Sequence, residues 1–64
     1  MTQKELLYLE DAVKHEQNII AVCNDTISRL EDKSLKTFLK TEVKKHNSML
    51  NKILNMLEDE ANEW

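Results

Sequence analysis

From Leu6 to Leu30 apolar residues recur at spacings of three and four, with Leu6, Leu9, Val13, Ile20, Cys23, Ile27 and Leu30 filling one stripe of a seven-residue repeat. The centre of that stripe is occupied by Glu16. On a wheel of about 100° per residue, Glu16 lies within about 20° of Leu9, Cys23 and Ile27. The pattern therefore predicts a helix that aims a carboxylate at its own core. A second stripe, made by Leu35, Leu39, Val43, Leu50, Ile53 and Leu57, has His46 at its middle.

The two stripes do not belong to one rod. Continuing the first frame beyond Leu30 lands on Ser34, Thr37, Thr41, Lys44, Ser48, Asn51, Asn55 and Glu58, all polar. On an unbroken helix the second face would sit about 120° away from the first, and neither could bury the other. A turn at Glu31-Asp32-Lys33-Ser34 removes the conflict, with Asp32 or Ser34 as the new N-cap and Leu30 facing Leu35 across the bend. The expected domain, residues 1–64, is an antiparallel hairpin with a helix over about 3–31, a turn over about 31–34 and a helix over about 35–60. Each helix would be roughly 40 Å long at 1.5 Å per residue.

The stripes are wider than a hairpin needs. In the second helix apolar residues run from Phe38 and Met56 on one flank to Leu54 on the other, an arc of about 160°. In the first they run from Tyr8 and Ile19 to Leu6 and Val13. A two-stranded seam uses only two positions in seven, so the surplus predicts a cover. A second copy related by a two-fold axis would supply it and give a homodimeric four-helix bundle. A different helical protein in the same groove is the alternative.

Composition sharpens the fold class more than the function. There is no glycine and no proline among the 64 residues, which removes most strand-turn chemistry and leaves an all-α chain. A capping box at Thr2-Gln3-Lys4-Glu5 marks its start and accounts for Glu5 at the end of the stripe. A domain this small is marginal without a staple, a metal or a partner. The single Cys23 cannot form an internal disulfide, and no leader-like run opens the chain, so an intracellular, cytoplasmic protein is expected. No apolar run approaches the roughly 18 residues of a membrane span. A net charge of −3 and a pI near 5.3 argue against nucleic acid as a partner. Lys36, Lys40, Lys44, Lys45 and Lys52 read as the solvated face of the second helix.

The segment Leu9-Glu10-Asp11-Ala12-Val13-Lys14-His15-Glu16, followed by Leu35-Lys36-Thr37-Phe38-Leu39 and Glu42-Val43-Lys44-Lys45-His46, resembles the ferritin-like helical hairpins. The small spore coat F type is the nearest likeness, over residues 6–57. In metal-binding members each hairpin contributes a Glu from one helix and a Glu-x-x-His from the next, and two hairpins close a di-metal site. The resemblance implies Glu16 as the first-helix acid and His46 as the histidine. The remaining acid departs from the pattern, because position 43 is Val43. Glu42 is adjacent but rotated about 100° from that slot. The resemblance thus implies the scaffold more than an intact metal site.

Without the family, Glu16 and His46 still demand an explanation, since a buried carboxylate is strongly disfavoured without a partner. With Leu30 opposite Leu35, Glu16 falls level with Met49, and His46 with Ile19, an offset of one helical turn. The pair can meet as an ion pair or a neutral hydrogen bond that fixes register, as buried polar residues do in coiled coils. The sharper alternative is a site for iron, manganese or zinc formed by Glu16, His46 and Glu42 from two subunits.

Other candidates are weaker. His15 lies on a flank and reads as a surface residue, while Cys23 reads as a small core hydrophobe. No Ser/His/Asp or Cys/His nucleophile arrangement is available, which argues against catalysis by an activated side chain. Leu7 and Val22 are off the main stripe, as ordinary exposed apolars or as contacts to a larger assembly. The tail Glu58-Asp59-Glu60-Ala61-Asn62-Glu63-Trp64 places acids at a helix C-terminus, where the dipole disfavours them. It is expected to fray unless Trp64, which returns to the core face, anchors it. Three functions follow: a non-enzymatic structural or assembly protein of the spore-coat kind, a ferritin-like metal-binding protein or oxidase, and a regulatory module that binds another helical protein.

Overall fold

The computed structural model of the protein describes residues 1–62, in which two helices, α1 (Gln3–Arg29) and α2 (Lys33–Asn62), pack against each other as an antiparallel hairpin. The expected capping box opens α1. The Thr2 hydroxyl accepts from the Glu5 N–H at 3.1 Å, and the Glu5 carboxylate accepts from the Thr2 N–H at 2.8 Å. Two of the unpartnered donors of the first turn are satisfied reciprocally.

α1 stops without glycine. Leu30 leaves the helical region for an extended conformation (φ −84°, ψ 143°), and its N–H is shared between the carbonyls of Thr26 (3.1 Å) and Ile27 (3.4 Å). No described residue has a positive φ. Of the two expected N-caps for α2, Asp32 serves. Its carboxylate accepts from the Leu35 N–H at 3.0 Å, and its carbonyl accepts from the Lys36 N–H at 3.1 Å.

These caps correct the expected turn. The connection is residues 30–32 rather than 31–34, so α1 ends two residues before the expected 31, and α2 begins two residues before the expected 35. The extended Leu30 reverses the chain quickly enough that no residue of Ser34's turn is needed. Leu35 becomes the third residue of α2 and stands half exposed, while Lys36 next to it is half-buried.

The stripes otherwise pack as the pattern requires. Leu6, Leu9, Val13, Ile20, Cys23 and Ile27 of α1, Leu30 just beyond it, and Leu39, Val43, Leu50, Ile53 and Leu57 of α2 are all half-buried. Off the seam, Thr37 and Thr41 remain in the helix by donating their hydroxyls to the carbonyls of Lys33 (2.9 Å) and Thr37 (3.1 Å). Lys40, Lys44, Lys45 and Lys52 are exposed, as a solvated face should be.

What the hairpin lacks is a dry interior. Among the described residues no apolar side chain is fully buried. Each realises only part of the roughly 1.5–3 kcal/mol that complete burial of a large aliphatic side chain gives. The shape explains this: at 48 × 15 × 12 Å the molecule is about one helix thick in one direction, so every seam residue has an open side.

The acid-rich end of α2, expected to fray unless Trp64 anchors it, is helical as far as it is described. It is helical through Asn62, because the antiparallel arrangement lays it beside the start of α1, whose dipole favours negative charge. The amino group of Met1 and the Glu60 carboxylate form an ion pair at 3.1 Å. Trp64, the expected anchor of the tail, lies outside the described residues. No described helix is long and apolar enough to cross a membrane.

Candidate functional site

At mid-length of the hairpin the two polar stripe centres come together. Glu16 and His46 are equidistant in sequence from Glu31, the middle of the short connection, so the tighter turn brings them level. The one-turn offset expected from a longer turn is thereby removed. The Glu16 carboxylate accepts a hydrogen bond from the Nδ1–H of His46. Glu16 is 7% exposed and is the only buried residue among those described. No described side-chain nitrogen or oxygen is buried without a hydrogen-bond partner. The cost of taking a carboxylate out of water is thus met by one imidazole, as an ion pair when the ring is protonated and as a neutral hydrogen bond when it is not.

Glu42 completes the surroundings of the ring. One turn before His46 on the same helix, it places Oε2 at 3.9 Å from His46 Nε2. Its other oxygen forms an ion pair with Lys45 Nζ at 3.6 Å. Lys45 is the participant that sequence reading assigned only to the solvated face. The signal that finds it is the Glu-to-Lys spacing of three on one helix face. The remaining candidates stay apart: His15 is exposed on its flank, and Cys23 is half-buried on the stripe.

A metal ion here would draw on the side chains of Glu16, His46 and Glu42. Within one chain they do not fit: Glu16 is directed at a ring nitrogen of His46, Glu42 at the other nitrogen and at Lys45, and Val43 stands where the ferritin-like pattern has its second acid. Among the described residues no group of three or more His, Cys, Asp and Glu side chains is arranged to hold a metal. The site as built by one chain is an acid–imidazole pair joining the two helices, with a second acid at its edge.

No known protein family, curated protein or solved structure matches the chain. Fold and site accordingly rest on the chain's own residues.

Proposed function

We propose that the protein is a non-enzymatic structural or assembly protein that works as a homodimeric four-helix bundle, in the manner of the spore-coat hairpins its sequence resembles. One observation carries the reading: among the described residues the hairpin buries one carboxylate, Glu16 at 7% exposed, while every apolar side chain of the seam stays at best half-buried. Two helices leave the seam open along its length, and a second hairpin is the smallest addition that closes it. The chain is also short for a substrate pocket, and the described clefts are surface features lined by residues such as Leu6, Leu57 and Glu60.

The test is sedimentation combined with dilution. At micromolar concentration a helical dimer is expected, and helicity and thermal midpoint should both fall on dilution, as mass action requires when the folded state is the dimer. A well-folded monomer with a concentration-independent midpoint would overturn the reading.

A second reading has one specific support, the approach of Glu42 to the outer nitrogen of His46 on a partly exposed edge. Two such edges facing each other would bring donors from both chains together for iron, manganese or zinc. Elemental analysis of protein purified without chelator decides between them: stoichiometric metal lost in a His46→Leu variant would replace the structural reading with the metal-binding one.

A further inference from the structure

Resting on the dimer reading, we infer that the second copy seats on one particular flank of the hairpin, the one carrying Tyr8 and Val22 of α1 and Phe38, Met49 and Met56 of α2, with α2 antiparallel to α2 of the second copy. All five side chains are strongly exposed, Tyr8 at 59% and Phe38 at 60%. Their placement follows from helix geometry. Tyr8 and Val22 lie about 80–120° behind the inward-pointing Glu16 on the wheel, and Phe38, Met49 and Met56 lie about 60–80° behind His46. Viewed from one end, antiparallel right-handed helices wind in opposite senses, so these two trailing edges fall on the same side of the hairpin.

The opposite flank is unlike it. Leu54 is there, about 80° ahead of His46, but its concave part is lined by Glu10, Val13, Lys14, Gln17 and Leu57, three of them polar or charged. The aromatic and methionine side chains are concentrated on the first flank, and these types are enriched where protein surfaces meet. The five exposed side chains present on the order of 500 Å² of apolar surface, the greater part of the roughly 800 Å² per partner found in stable interfaces.

Charge identifies the occupant. The sequence Phe38, Glu42, Lys45, Met49 on this flank runs apolar, acid, base, apolar with the same spacings from either end. An antiparallel copy of α2 centred at Val43 and Lys44 sets Phe38 against Met49 and Glu42 against Lys45, twice over. The Glu42–Lys45 ion pair within each chain leaves the middle of the flank without net charge, so a chain of net charge −3 does not repel its own copy there. A parallel pairing of α2 helices would instead set like charges opposite each other.

The experiment uses the full chain and sedimentation equilibrium. Phe38→Glu should weaken the dimer by at least about a hundredfold, as loss of a central anchor does, while Leu54→Glu and Leu7→Glu, at comparable exposure on other faces, should change it by less than about threefold. Glu42→Lys and Lys45→Glu should each weaken self-association about tenfold by opposing like charges. Mixing the Glu42→Lys chain with the Lys45→Glu chain should restore dimers, read as heterodimers by native mass spectrometry. Intrachain effects cannot produce that rescue. A monomeric wild type would overturn the dimer reading itself. A dimeric wild type that Leu54→Glu breaks and Phe38→Glu leaves intact would overturn only the choice of flank, and absence of heterodimer rescue would overturn the antiparallel seam.

Discussion

The seam between the helices and the flank beside it invert the usual arrangement of a small domain. At the middle of the seam the side chain most withdrawn from water is the carboxylate of Glu16, while on the flank the rings of Tyr8 and Phe38 stand more than half exposed. The seam's apolar side chains are only half-buried, and what distinguishes it is a single polar pair that joins the two helices. The flank has abundant apolar surface and, within one chain, nothing to cover it. Within one hairpin the polar match therefore sits on the seam and the uncovered apolar surface on the flank.

The largest expected effect tests the seam. His46→Leu leaves Glu16 buried without a partner and should destabilise the protein by about 3 kcal/mol, the lower end for breaking a buried pair, because the imidazole retains some contact with solvent. Changing Glu16→Leu together with His46→Leu should recover most of that loss, since two leucines fill the space without desolvating a charge. Denaturant unfolding of both variants beside the wild type measures this at a fixed protein concentration. A double variant as unstable as the single one would mean that the pair contributes net stability rather than register.

A smaller effect is expected at the bend. Asp32→Ala removes the acceptor for the Leu35 N–H and should cost about 1 kcal/mol. Because the bend sets the level at which Glu16 meets His46, this variant sharpens the comparison. If register is held by the pair, NMR contacts between the His46 ring and Glu16 should survive the loss of the cap. Their disappearance would assign register to the turn instead.

How much of this was legible in the sequence depends on range. The two stripes, their polar centres and the capping box are periodic or local features, and the chain without glycine or proline had few ways to contradict them. The length of the turn was not legible, because Leu30 ends α1 by an extended backbone that no residue type announces, and Asp32 and Ser34 are equally good caps on paper. That small uncertainty propagated: it displaced Glu16 from His46 by a turn. The helical end of α2 depends on a neighbour of a different kind. Acids at a lone helix C-terminus are unfavourable, but the hairpin supplies the start of α1 beside them, and that neighbour is a tertiary fact.

The smallest effect concerns the capping box, far from both seam centre and flank. Glu5 is fully exposed, and its carboxyl is held below the ordinary glutamate value by the hydrogen bond from the Thr2 backbone, then by the interaction with the Thr2 side chain, with a smaller contribution from the positive amino terminus. Since the folded-state value is depressed, the box contributes its full stabilisation above the unfolded-state value and loses it as pH falls through the lowered folded one. The stability difference between wild type and Glu5→Ala should accordingly shrink on acidification through that window and stay constant above it. Carboxyl NMR titration should find Glu5 below the ordinary glutamate value. Thr2→Ala should move Glu5 only part of the way back, because the stronger contact uses the Thr2 backbone N–H, which alanine retains. A Glu5 that titrates at the ordinary value would mean that the box is open in solution, and that the start of α1 owes its order to the end of α2 rather than to its own cap.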